Sequence, residues 1–300
     1  DLAHKSLRKI ASLGSWGKHE HNCHIELLNF LQQPTTPKAF QHPVPILCQK
    51  TIRQWEMDSK IIEFPMFLPH ILFSHYYTTN RKRFDELFLG NHTTEIARAE
   101  FWDEVERRHD PRLAGHPMTR ASDWKQHAIP LSFHGEGVPV LQFGKANSKS
   151  LEVTSFQSLF ATATSTVRVD MLIMMAFKKN IDARSEREMW RVLLWSFHWL
   201  YLGVWPTVDW NFKAWPHGSS EALLANTPLA GGLRGIVWNV KGDLDFLATG
   251  SHFRHYNSNE PCDLCQCSRR QGTNRALLCN NFSADARCKV NLLSKEEWLS

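Results

Sequence analysis

The sequence predicts an α/β protein: a mainly helical region over 1–127, a core of strands and helix over 128–250, and a Cys-rich segment over 251–300. Three observations predict it. Apolar residues recur at helical spacing between Phe64 and Arg108. After Pro130 the pattern changes to short apolar runs of strand type, with one long amphipathic stretch at Ser185–Gly203 among them. Five of the seven cysteines fall between Cys262 and Cys288.

The N-terminal stretch to about residue 60 starts basic (Lys5, Arg8, Lys9) and is broken by prolines from Pro34 to Pro45. It is expected to be an arm or loosely packed structure. Phe67, Leu68, Ile71, Leu72 and His75 then follow i, i+3, i+4 spacing, continued by Phe84, Leu87 and Phe88. Glu95–Arg108 reads as a charged amphipathic helix whose buried side is Ile96, Phe101, Trp102 and Val105.

In the core, Leu131–Phe133 and Val138–Phe143 read as two strands joined by a tight corner, His134-Gly135-Glu136-Gly137. Further strand-type residues are Leu151, Val153, Val167 and Val169. Met171–Phe177 is apolar without a break, as expected of a strand buried on both faces. Ser185–Gly203 predicts a long helix, capped by Ser185 with Glu188 three residues on and closed by Gly203. Its apolar stripe is Leu193, Leu194, Phe197, Leu200 and Tyr201. Gly232–Val240 predicts a last strand, running into Lys241-Gly242-Asp243.

Composition narrows the function classes. Met171–Phe177 falls far short of the roughly 20 apolar residues that span a bilayer, and Val192–Trp205 is interrupted by Ser196 and His198. No membrane span is expected. Asp1-Leu2-Ala3-His4 carries no apolar signal core, and both ends read as cut edges of a longer chain. The lopsided cysteines suit a reduced intracellular protein better than a secreted disulfide scaffold, which makes the sequons at Asn91 and Asn281 accidental. A net charge of +5, from 35 Lys+Arg against 30 Asp+Glu, permits a nucleic-acid partner without demanding one.

Two constellations carry chemistry. Glu136 between two glycines and Asp243 after a strand and a glycine are carboxylates at strand exits, where a sheet can bring neighbours together. Such a pair would hold Mg²⁺ or Mn²⁺, which prefer oxygen ligands; the alternative is two ordinary turn acids. Cys262-Asp263-Leu264-Cys265 is a C-x₂-C knuckle whose thiolates can share a tetrahedral Zn²⁺. The second ligand pair is open among Cys267, Cys279 and Cys288, or His252 and His255, and free thiols are the alternative. Arg269, Arg270, Arg275, Arg287 and Lys289 surround the cluster, so it is a phosphate clamp or a solvated surface. His19-Glu20-His21-Asn22-Cys23-His24 fails the zinc-protease pattern, because Cys23 stands where the second His is needed. No Walker loop, Rossmann fingerprint or nucleophile elbow is present.

The order His134-Gly135-Glu136-Gly137-Val138-Pro139-Val140, Met171–Phe177, Glu186–Gly203, Gly235–Asp243 and Pro261–Cys265 resembles a known arrangement. It is similar to the catalytic core of cut-and-paste DNA transposases of the CACTA and Kyakuja-Dileera-Zisupton groups, and to multicopy transposon-derived-like proteins of dinoflagellates. The resemblance covers under half of the chain and rests on order and spacing. It implies an RNase H-like mixed sheet with flanking helices and a zinc-knuckle-like insertion. Glu136 would be the first metal-binding acid and Asp243 the second. A third would lie on a helix beyond the knuckle, where Glu296 and Glu297 are the acids remotely placed for it. DNA as partner, a nuclear location and metal-dependent strand cleavage and transfer are implied with it, and a homo-oligomer is compatible. The family pattern has Asp where this chain has Glu136. That departure keeps open a catalytically inactive transposon-derived protein that binds DNA or protein through a structural zinc lobe. A zinc-stabilised interaction domain without a nucleic-acid role is the third reading.

Overall fold

Extended residues pair into two sheets in a computed structural model that describes residues 40–51, 54–141, 149–162, 170–242, 246–247, 258–259 and 268. The first is an antiparallel hairpin of β1 (Phe40–Thr51) and β2 (Gln54–Met66). The second contains β3 (Ala128–Leu141), β4 (Lys149–Ser158), β5 (Met171–Phe177) and β6 (Arg234–Gly242), in the order β5-β4-β3-β6. β3, β4 and β5 run antiparallel in succession, whereas β6 lies parallel to β3. The protein is therefore a mixed α/β structure with a mixed four-stranded sheet. No helix among the described residues is long and apolar enough to cross a membrane.

Among the described residues six α-helices accompany the strands: α1 (Pro69–Thr79), α2 (Arg81–Phe84), α3 (Glu95–Arg107), α4 (Trp124–His127), α5 (Ala183–Leu202) and α6 (Ser220–Leu224). The long α5 links β5 to the segment that leads into β6. Asp182 caps it, its carboxylate accepting from the backbone N–H of Arg184 and Ser185 at 2.9 Å each. Ser185 donates to Pro45 and returns a hydroxyl contact to the Asp182 N–H, so Ser185 sits one turn inside the helix instead of capping it. Gly203 closes the helix at φ 72°, a left-handed conformation that glycine adopts without strain. The buried stripe Met189, Val192, Leu193, Ser196, Trp199 and Leu200 keeps helical period and faces the sheet and α1. Leu194, expected in that stripe, is 61% exposed because the stripe is centred one position earlier.

Close approach of α5 to the sheet depends on Gly235. A Cβ there would lie 2.7 Å from Leu131 Cδ1 and 2.8 Å from Leu200 Cγ, inside van der Waals contact. On the opposite face, Trp102, Met118, Trp124, Ala128, Ile236 and Trp238 form a second apolar cluster over the beginnings of β3 and β6. Trp102 Nε1 donates to the Ala128 carbonyl at 3.0 Å. The buried guanidinium of Arg98 donates to the carbonyls of His92, Thr93 and Gln126, tying α3 to the chain entering β3. Arg98 therefore takes the inner position expected for Ile96, which is 72% exposed.

Three expectations are corrected. His134–Gly137 makes no corner: a single strand runs through it from Ala128 to Leu141 and pairs on both sides. β5 is an edge strand with one exposed side, where Met175 and Phe177 lie, so it is not buried on both faces. Residues 40–66, within the region expected to be an arm or helical, form the β1–β2 hairpin, which packs Val44, Ile46, Phe64 and Met66 into the main core. The prolines at 43 and 45 are tolerated because β1 has a single strand partner, leaving alternate N–H groups without a ladder role.

In the first turn of α1, His70 is buried and its Nδ1 lies 2.7 Å from the Ser196 hydroxyl of α5. Burial lowers its pKa from 6.5 to about 3. Between those values the unfolded chain binds the proton and the folded chain does not. Stability is thus fully present above pH 6.5 and is lost as pH falls toward 3, by up to about 1.4 kcal/mol per pH unit. Denaturant titrations across this range should show that slope, and His70→Gln should make it shallower; an unchanged slope would place the acid sensitivity elsewhere.

Candidate functional site

Alternation along β3 assigns its side chains to two faces. Phe133 packs against Trp190 and Phe197 of α5, with ring centroids 5.5 and 6.1 Å away, so odd-numbered positions look toward α5. Gly135 belongs to that face too: the Phe246 ring occupies the space where a Cβ would stand. Ser132, His134 and Glu136 consequently share the opposite face. Glu136 is exposed and is the register partner of Val153 on β4. Both flanking glycines lie within a strand, not a turn, and only Gly135 answers a close approach; a Cβ at Gly137 would stand in open space.

The same face carries a polar patch across β3, β4 and β6, with Asp170 at the threshold of β5. Ser132 is in register with Gln157 on β4 and with Asn239 on β6, and His134 with Ser155 and Lys241. Asp170, immediately before β5, completes the row next to Gln157, since the following Met171 pairs with Phe156. In the amide orientation that satisfies both neighbours, Gln157 donates to Asp170 Oδ1 at 3.1 Å and accepts from Lys241 Nζ at 3.2 Å. Burial holds the Asp170 carboxyl above its usual range, and the nearby His134 and Lys241 pull it back down. Ser132 Oγ and Asn239 Oδ1 are buried and make no hydrogen bond among the described residues. Polar groups of this kind on a sheet face cost stability, so the face is poorly explained as a packing surface.

Glu136 supplies one hard oxygen donor on an open strand face, the donor type that Mg²⁺ or Mn²⁺ requires. Gly242, which precedes Asp243 in the sequence, is the register partner of Gly135, which precedes Glu136. Asp243 itself lies outside the described residues, as do Cys262, Cys265, Cys267, Cys279, Cys288, His252, His255, Glu296, Glu297 and the segment 19–24. Among the described residues, no three His, Cys, Asp or Glu side chains converge as a metal site.

On the α5 face, sequence reasoning missed a small cleft in which Glu152 of β4 and Glu186 of α5 meet Thr154, Trp190 and Phe246. Its free space of about 30 Å³ suits a water or two, not a substrate. Glu152 was hidden in the sequence between two apolar strand residues, and Glu186 stands in the first turn of α5, where acids are common. The polar patch was equally hidden. Its members are spread over 110 positions of the sequence, and only the strand register brings them together.

Comparison with known proteins adds no family: no protein-family model, curated protein or solved structure matches the chain.

Ser132 offers a check on the assignment of this face. Ser132→Ala removes a buried hydroxyl without a partner, and should raise unfolding stability by about 1 kcal/mol. A loss of similar size would mean that the hydroxyl is satisfied and structural.

Proposed function

We propose that the chain is a transposase-like protein with an RNase H-like core, which binds DNA and cleaves a strand at a metal-carboxylate site containing Glu136 and Asp243. The sheet carries this reading. Three consecutive antiparallel strands are followed by a covering helix and then by a fourth strand parallel to the first and beside it. The arrangement agrees with the order of elements that suggested the transposase resemblance. It sets the residues preceding Glu136 and Asp243 side by side.

In this reading Glu136 offers its carboxylate from an exposed position, and Asp243 supplies a second from the chain leaving β6. The ion they hold would be Mg²⁺ or Mn²⁺, supplying charge neutralisation and an activated oxygen nucleophile for phosphodiester cleavage. The two side chains act as ligands, with no need to move protons themselves. The Cys-rich segment with Cys262 and Cys265 would be a zinc-held lobe beside the core. A nuclear site of action is implied by the transposase resemblance alone.

Glu136 reaches one methylene further than the Asp of the resembled families, and metal sites respond to sub-ångström placement. That departure favours, as the second reading, a protein that keeps DNA binding and has lost cleavage.

Supercoiled DNA with Mn²⁺ tests both. The cleavage reading predicts nicking that falls by about 10²-fold or more in Glu136→Gln and in Asp243→Asn, as when a charge-stabilising group is lost from a phosphoryl-transfer site. DNA binding that weakens steeply with salt, without nicking, would establish the second reading. Absence of both would reject the two together.

A further inference from the structure

Lys241 stands at the end of β6, exposed, in register with His134 and on the face that carries Glu136. A lysine there would ordinarily sweep a wide volume on its four-carbon stem. This one is held: Gln157 accepts from its Nζ at 3.2 Å, and the same amide donates to Asp170 at 3.1 Å. A neutral amide thus stands between the cation and the half-buried carboxylate. The ammonium is oriented, yet keeps two further donors and a charge not cancelled by direct contact. The neighbouring positions are polar too. Ser155 and Ser132 are buried, and Asn239 offers an acceptor that has no partner among the described residues.

We propose that Lys241, aimed by Gln157 and Asp170, is a phosphate-binding residue that holds the DNA backbone against the face bearing Glu136. The inference rests on the DNA-processing reading and deepens it, by naming a backbone contact and the residues that position it. Lys241 lies two residues before Asp243 in the chain, and its register partner His134 lies two before Glu136. A phosphate bound by Lys241 is therefore about one residue pair along the strands from the carboxylate, roughly 7 Å at the rise of a β-strand. That is on the order of the spacing of consecutive phosphates in a DNA strand. The arrangement accordingly engages the phosphate next to the one at the carboxylate, and sets the register of the strand.

Gln157 and Asp170 are positioning residues in this account. Their contribution differs from that of Lys241 in kind. Losing the lysine removes a cation, whereas losing the amide leaves the charge in place but frees it to wander.

Binding of a short duplex DNA, measured by fluorescence anisotropy from low to moderate salt, separates these effects. Lys241→Met should lower affinity and reduce the slope of log affinity against log salt by about 0.9, the value for one lost phosphate contact. Lys241→Arg should keep the slope. Gln157→Leu should weaken binding several-fold at unchanged slope, with a melting temperature showing that the fold persists. Lys60→Met, on the β1–β2 hairpin, is the comparison for a general loss of positive charge. A Lys241→Met slope equal to wild type, or no different from Lys60→Met, would overturn the assignment while leaving DNA binding intact. Wild-type protein that does not bind the duplex would overturn the assignment together with the reading on which it rests.

Discussion

The packing of α5 across the four-stranded sheet is the constraint on which the rest of the structure depends. β5 is an edge strand, while β6 must add next to β3 at the other side of the sheet. The chain makes that crossing through α5, whose apolar stripe covers β3 and β6 through Leu200, Leu131 and the space left by Gly235. Each end is fixed locally: the Asp182 carboxylate satisfies two N–H groups, a cap worth about 1 kcal/mol, and Gly203 turns the backbone away. With the crossing so defined, β6 becomes parallel to β3, and Lys241 and Gly242 come to lie beside His134 and Gly135.

The two faces of the sheet then do different things. The α5 face is packed with aromatic and aliphatic side chains and holds the small Glu152–Glu186 cleft. The other face is divided along the strands. Its beginning is sealed by the tryptophans of α3, α4 and β6, with Arg98 drawing three carbonyls together at the entry to β3. Its end is polar: Asp170, Gln157 and Lys241 form one connected line, and Glu136 stands exposed just beyond. A well-packed beginning gives the polar end a rigid base, the condition under which weakly covered side chains can hold a fixed geometry.

Much of the element order was legible in the sequence, because apolar period and terminal signals are local. α5 was visible from its stripe and from Gly203, β5 from its unbroken apolar run, and β6 from Gly232–Val240. Burial was less legible. The run at β5 gives no sign that Met175 and Phe177 face outward, since exposure depends on which side of the strand other segments cover. Gly-Glu-Gly looked like a corner because local rules see glycine and not Phe246, which follows β6 and fills the Cβ position of Gly135. The hairpin at 40–66 was masked by Pro43 and Pro45, harmless on a strand with one partner. Glu136 was legible as a candidate, but its neighbours Asp170, Gln157 and Lys241 were not, since a strand register cannot be read from any one segment.

Titration of the protein with Mn²⁺, followed by the electron paramagnetic resonance signal of the free ion, tests the proposed role of the Glu136 face most directly. The account predicts binding that weakens at least about tenfold in Glu136→Gln, the scale of one lost carboxylate ligand, with the melting temperature unchanged because the side chain is exposed. Equal Mn²⁺ affinity in the two proteins would contradict it.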